Sequence, residues 1–337
     1  MVEHPNSQQP SGQDDPPSTP PPSGHGNLVD ALAALTEHTD RSAAPDASLE
    51  PPDPSGDRDT VMVVAFEGWN DAGGAASDAV ALLGRAYNAV QRVVLGEDDY
   101  YDYQFSRPSV KRNAAGQRVV RWPLTRVLTA DLPEHPFDLV LVTGVEPTYR
   151  WKQFCAELLT LAAEHRVRAI VLTGALLADS PHTRPIPVTR TSEHPQLREI
   201  IDAERSDYEG PTGIVGVLAA LADAAGVPTV STWAAVPHYV GQAPSPKATY
   251  ALMRQLEDLL HISMDLSALA EDAEAWERGV DELASDDEEI GAYVKQLEEA
   301  TDATEMPEAS GESIAREFER YLKRRDQGRG WEPGGSN

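Results

Sequence analysis

Apolar residues fall into two patterns along this chain. In the first they run without interruption, as in Val61-Met62-Val63-Val64-Ala65-Phe66, Leu139-Val140-Leu141-Val142 and Ala169-Ile170-Val171-Leu172. Unbroken apolar runs of this length belong to strands covered on both faces. In the second they recur every third or fourth position, over 75–89, 150–165, 214–225 and 247–261, the period of an amphipathic helix. A further strand is predicted over Val227–Val236, with Pro228 at its start, where the missing backbone donor is tolerated. Strands alternating with helices predict an α/β fold, a mainly parallel sheet with helices on both faces. The stretch 99–127 departs from that rhythm. Its Tyr100, Tyr101, Tyr103, Phe105, Val119, Val120 and Trp122 favour extended backbone, and a turn is expected near Asn113–Gly116. A hairpin there would add antiparallel strands to a mixed sheet.

Beyond Pro246 the pattern is helical. Residues 265–299 carry Leu266, Leu269, Trp276, Val280, Leu283, Ile290, Tyr293, Val294 and Leu297 around the acidic block Asp286-Asp287-Glu288-Glu289. One or two amphipathic helices with acidic outer faces are predicted. A more basic helix is expected over 313–325. The first 57 residues are rich in Pro, Ser, Asp and Gly and cannot bury enough apolar area to offset their ordering entropy. One island interrupts them, Leu28, Val29, Leu32 and Leu35 at helical spacing behind Asn27 as N-cap. It is either a docking helix or a nascent helix without a partner. The expected organisation is a disordered arm (1–57), an α/β domain (58–263), an acidic helical segment (264–327) and a loose tail (328–337).

Charge narrows the partners. The chain carries 55 acidic and 28 basic residues, a formal charge of −27. Such a surface repels phosphate backbones and anionic headgroups, so neither nucleic acid nor membrane is expected to bind. Solubility is the plain consequence, and attraction to a basic partner surface the more specific one. The single cysteine, Cys155, sits in an apolar helical pattern with Phe154, Leu158 and Leu159. It is read as a core residue with no internal disulfide to make. No apolar run is long enough to span a bilayer, no signal peptide is recognisable, and a cytoplasmic location is expected.

Candidate chemistry is sparse. Gly68–Gly74 follows a strand and opens a helix, where anions bind. It lacks the Gly-Lys-Ser/Thr and Gly-x-Gly-x-x-Gly fingerprints and carries Glu67 and Asp71. A tight connection or a binding-rim loop fits it better than a nucleotide site. His182, His194 and His238 lack metal-ligand spacing. A metal would need distant loops, His182 or His238 with Asp71 and Asp179. Ser180, Thr212 and Ser231 lie near element ends without a Gly-x-Ser-x-Gly elbow. A triad built in space stays open beside the reading of Asp179 and Ser180 as turn residues. Glu67, Asp71, Glu146 and Asp179 fall at the carboxyl ends of strands, where open α/β sheets gather ligands, and Glu209 precedes Gly210-Pro211. The same carboxylates equally suit helix caps. No catalytic residue, cofactor or metal is assigned.

The order of several segments carries a family resemblance. They are Phe66-Glu67-Gly68-Trp69-Asn70-Asp71-Ala72-Gly73, Thr143-Gly144-Val145-Glu146-Pro147, Leu172-Thr173-Gly174-Ala175 with Pro185-Ile186-Pro187-Val188-Thr189, Tyr208-Glu209-Gly210-Pro211-Thr212-Gly213-Ile214, and Val236-Pro237-His238-Tyr239-Val240 before Pro244-Ser245-Pro246. Over about residues 60–265 the chain resembles the proteasome assembly chaperone 2 family in its bacterial form. The resemblance implies a three-layer α/β/α fold like that of nucleoside phosphorylases and related hydrolases. It implies a homo-oligomer, a trimer favoured, and a binding role in proteasome assembly with proteasome subunits as partners. Gly68, Trp69, Asn70 and Pro237-His238-Tyr239 would shape the rim loops. The candidate binding residues are Glu67, Trp69, Asn70, Asp71, Glu146, Asp179, Tyr208, Glu209, Pro211, Thr212, His238 and Tyr239. Docking through a hydrophobic–Tyr–any tail, used by proteasome activators, is not expected from Gly335-Ser336-Asn337. The alternative is a phosphorylase- or hydrolase-type enzyme acting on a small molecule at the rim, which requires Glu67, Asp71 and Glu146 to share a pocket.

Overall fold

Strand β1 (Thr60–Glu67) is buried along all but its last residue, and the rest of the sheet is built outward from it. A computed structural model describes residues 26–34, 58–96 and 99–305. Its strands are β1, β2 (Val90–Leu95), β3 (Ser109–Arg112), β4 (Arg118–Arg121), β5 (Thr125–Ala130), β6 (Asp138–Val145), β7 (Val167–Ala178), β8 (Val188–Thr191) and β9 (Thr229–Pro237). Seven of them form one sheet in the order β2-β5-β6-β1-β7-β9-β8. β1 runs parallel to β6 and β7, and β7 parallel to β9. β5 and β8 run antiparallel to their neighbours, which makes the sheet mixed but mainly parallel.

The helices are α1 (28–34), α2 (Ala75–Ala86), α3 (Trp151–Glu164), α4 (Pro195–Ile201), α5 (Ile214–Ala224), α6 (Pro246–Leu260), α7 (Ser267–Asp286) and α8 (Glu288–Glu305). Alternate residues of β1 feed two cores. Val61, Val63 and Ala65 join Ala79 and Leu83 of α2 and Leu252 and Leu256 of α6. Met62, Val64 and Phe66 join Phe154 and Leu158 of α3 and Val215 and Leu218 of α5. Each fully buried aliphatic side chain contributes roughly 1.5–3 kcal/mol of transfer free energy, which makes the three-layer sandwich the favourable arrangement. Cys155 lies in the second core, where burial pushes its thiol up to about 11 and leaves it unreactive.

Two expectations need correction. The hairpin over 99–127 does not extend the main sheet. β3 and β4 pair only with each other, and every residue of both strands is exposed. They have no apolar face to offer the core, whereas β5 alternates buried Thr125 and Val127 with exposed Arg126 and enters the sheet. Second, the disordered reading of 1–57 does not hold for 26–34. Leu28 and Ala31 are fully buried in the same core as Leu197 and Ile201, so α1 is a docked helix. Asn27 Oδ1 accepts the Asp30 N–H at 3.0 Å and Asp30 Oδ2 accepts the Asn27 N–H at 3.3 Å, a reciprocal cap. The rest of 1–57, the basic helix over 313–325 and the tail lie outside the described residues. The acidic segment after 264, expected as one or two helices, packs on the domain. Ala273, Val280, Val294 and Leu297 are buried, and α7 and α8 are separate helices because Asp287 is extended and caps α8 through Glu289 N–H (2.9 Å) and Ile290 N–H (3.2 Å). Among the described residues no helix is long and apolar enough to cross a membrane.

Candidate functional site

The carboxyl rim of β1 is shaped by a loop that folds back on the sheet. Asn70 O accepts the Ala175 N–H at 2.8 Å, stitching the loop to β7. Gly73 and Gly74 both lie in the left-handed region (φ 63° and 66°). A Cβ on Gly73 would stand 2.5 Å from Ser245 Cβ, so only glycine lets the loop close on the start of α6. This geometry turns Asp71 inward. Its Oδ1 accepts the N–H groups of Ala76 (2.8 Å) and Ser77 (3.2 Å), and its Oδ2 accepts the Ser77 hydroxyl (2.5 Å). Burial raises the Asp71 pKa and those hydrogen bonds oppose the rise. Asp71 therefore serves the first turn of α2. Glu146 does the same for α5, where its Oε1 accepts the Ile214 N–H at 2.8 Å.

Glu67 has different surroundings. It lines an 810 Å³ cavity at the base of the β3–β4 hairpin, together with Arg107, Lys111, Arg121 and Arg126. Burial, then the nearby Asp71, pushes its pKa up. Glu67, Asp71 and Glu146 thus do not converge on one pocket, and the small-molecule enzyme reading loses its geometric basis.

What the rim does present is apolar surface. Trp69 and Tyr208 are 78% and 67% exposed. With Asn70, Leu176, Pro211, Thr212 and Trp233 they line an open trough of 680 Å³ between α5 and the β9–β8 edge of the sheet. The Tyr208 hydroxyl donates to the Pro211 carbonyl at 2.7 Å, which holds its loop in a tight bend. Glu209 is exposed in that bend. Asn70 Nδ2 is buried without a partner beside Gly213, where a Cβ would stand 2.2 Å from it.

The remaining candidates form a separate cluster. His238 Nδ1 is 3.3 Å from Asp179, and the Tyr293 hydroxyl donates to Asp179 at 3.1 Å. The Tyr239 hydroxyl, which burial pushes up to about 12, accepts the His182 N–H at 2.8 Å and also lies 2.8 Å from His182 Nδ1. His182 Nε2 is 3.0 Å from Asp281 on α7. A hydroxyl that accepts the backbone N–H is free to donate to Nδ1, which leaves Nε2–H to donate to Asp281. The adjacent Thr183 and Arg184 bind Glu298 and Asp302 of α8, Arg184 bidentately at 2.8 Å to both Asp302 oxygens. Lys247 Nζ bonds Glu277 and the His182 carbonyl, each at 2.5 Å. This cluster is a latch holding α7 and α8 to the domain. Ser180 Oγ is buried and makes no hydrogen bond, so no Ser–His pair forms. Among the described residues no group of three or more His, Cys, Asp or Glu is arranged to hold a metal.

Leu176, Trp233, Asp281, Glu298 and Asp302 were not singled out from the sequence. The trough residues carry a weak signal, apolar side chains continuing past the expected end of β7, which reaches Ala178.

The fold is a three-layer α/β/α domain with a mixed, mainly parallel sheet, and its rim offers apolar surface between helix caps. The PAC2 family pattern matches residues 65–284, and the chain belongs to the PAC2 family. It is similar to a PAC2 family protein from Streptomyces avermitilis, with 52% identity over 70% of this chain and 100% of that one (TM-score 0.65). It is also similar to a proteasome-assembly chaperone homologue from Mycobacterium tuberculosis, with 45% identity over 69% of this chain and 99% of that one (TM-score 0.63). A Mycobacterium tuberculosis protein of unknown function shares 28% identity over 78% of this chain and 90% of its own (TM-score 0.66). No curated protein matches the chain.

Proposed function

We propose that this chain is a non-enzymatic protein-binding factor of the proteasome-assembly-chaperone type. It works as a homo-oligomer, a trimer favoured, in the cytoplasm, with proteasome subunits as its partners and no cofactor. The observation that carries the reading is the rim trough, where Trp69 and Tyr208 stand exposed beside Leu176. Exposed aromatic residues around a preformed depression are the usual anchors of protein recognition. The 45% identity to a mycobacterial proteasome-assembly chaperone homologue supplies the partner class. Trp69, Asn70, Tyr208, Pro211 and Thr212 make the binding surface in this reading. Asp71 and Glu146 hold its loops, while Asp179, His238 and Tyr239 anchor the neighbouring latch. Tagged chain expressed in its native cell should recover proteasome subunits at near-stoichiometric levels. Recovery of none would contradict the assignment.

A further inference from the structure

The β3–β4 hairpin is the part of this protein that its own fold explains least. An isolated two-stranded ribbon is marginally stable in water, and this one makes no strand pairing with the main sheet. Its outward face is built in two rungs. Val110 sits directly opposite Val120, and Arg112 directly opposite Arg118. The two valines are 53% and 50% exposed. Like charges directly opposed across strands are destabilising. Arg112 bonds only the Gly116 carbonyl of its own turn, and neither arginine pairs with a carboxylate among the described residues. From Tyr103 to Ala130 the sequence holds Arg107, Lys111, Arg112, Arg118, Arg121 and Arg126 and no Asp or Glu. In a chain of formal charge −27 this is a concentrated island of the opposite sign.

The complement is on the same chain. At the end of α7, Glu282 and Asp286 are one turn apart and both exposed, and Leu283 beside them is 60% exposed. Asp287, Glu288 and Glu289 continue the acidic tip into α8. An apolar knob flanked by carboxylates matches a valine rung flanked by an arginine rung.

We propose that the outward face of the β3–β4 hairpin docks onto the acidic α7–α8 tip of a second copy of this chain. It rests on the homo-oligomer in the functional reading and names the contact that builds it. Two different surfaces meeting head to tail generate a closed ring when the rotation closes. The contact relieves the Arg112–Arg118 repulsion and covers the exposed valines and Leu283 together. It also gives Arg112 and Arg118 the carboxylate partners they lack among the described residues.

The test is sedimentation of the purified chain without any proteasome subunit, so that it does not depend on the partner assignment. Wild type should self-associate and dissociate as salt rises to about 0.5 M, where screening reaches only a few ångström. Arg112→Glu with Arg118→Glu should lower the self-association constant at least tenfold, and so should Glu282→Lys with Asp286→Lys. Chains carrying all four changes should regain association, because the charges are complementary again. That rescue separates lost docking from lost folding, which thermal melts of each variant also check. A wild type that stays monomeric overturns both the contact and the homo-oligomer. A stable oligomer indifferent to either reversal overturns the contact and leaves the homo-oligomer standing, with the hairpin serving an acidic segment of another protein instead.

Discussion

His182 and Asp281 stand 3.0 Å apart across 99 residues of chain, the imidazole buried in the domain and the carboxylate on α7. The pair ties the acidic helices to the rim, since the Tyr239 hydroxyl holds the other nitrogen of the same ring. Asp281→Ala leaves the buried Nε2–H without its acceptor, which costs about 1–3 kcal/mol. We expect faster hydrogen exchange in α7 and α8 while the sheet stays protected. Asp281→Asn, which keeps an acceptor oxygen, should lose less. Unchanged exchange in α7 would remove the latch.

Leu28 makes a second long-range tie. It is fully buried with Leu197 and Ile201 although it precedes the domain by some thirty residues. Leu28→Ala should destabilise the domain by about 2–4 kcal/mol if α1 stays docked around the cavity. Val29, only partly buried against the same core, should tolerate alanine better. Equal melting temperatures for wild type and Leu28→Ala would place α1 outside the cooperative unit.

Asp71 couples the rim to pH. Its pKa is raised in the fold, chiefly by burial. A carboxyl whose folded pKa exceeds its unfolded value favours the folded state below the unfolded pKa, and that contribution is lost as pH rises through the folded pKa. Wild type should therefore gain stability relative to Asp71→Asn as pH falls from about 7 to about 4. Thermal melts of the two chains across that range give the difference directly. A difference independent of pH would mean that Asp71 titrates normally.

Glu146 and Glu67 look alike in sequence and should behave differently. Glu146→Ala removes the acceptor of the Ile214 N–H and should cost about 0.5–2 kcal/mol, the usual loss of a helix cap. Glu146→Gln keeps an oxygen there and should recover most of it. Glu67→Gln removes a partly desolvated carboxylate beside Asp71 and should be neutral or slightly stabilising at neutral pH. Chemical denaturation of the three variants decides between capping and a shared acidic site.

Legibility in the sequence followed burial. Val61 to Phe66 announced β1 because both faces are covered, and Asn113 announced its turn through side-chain bonds to the Ala115 and Gln117 N–H groups. β2 passed unnoticed because Gln91 and Arg92 break the apolar pattern and the register shifts between Gln91 and Val93. β8 is a short, Thr-containing edge strand with no run to read. At the site, Glu67 ends β1, Asp71 lies in the loop beyond it and Glu146 follows β6. Whether each faces solvent or a helix terminus depends on N–H groups such as that of Ile214, 68 residues from Glu146. The separation of the trough from the His182 latch, and the role of Asp281 and Asp302 in it, depends on how α7 and α8 fold back, which no local pattern encodes.

Binding at the trough of Trp69 and Tyr208 is tested most directly by the affinity of the purified chain for purified proteasome subunits. Titration calorimetry with wild type, Trp69→Ala and Tyr208→Ala measures it. Trp69→Ala removes only an exposed ring and should leave the melting temperature unchanged; Tyr208→Ala also loses the bond to the Pro211 carbonyl, so its own melt checks that the domain stays folded. The account predicts saturable binding by wild type, weakened about tenfold or more by either change, the loss typical of an aromatic anchor. Binding that survives both substitutions, or wild type that binds no subunit, would contradict it.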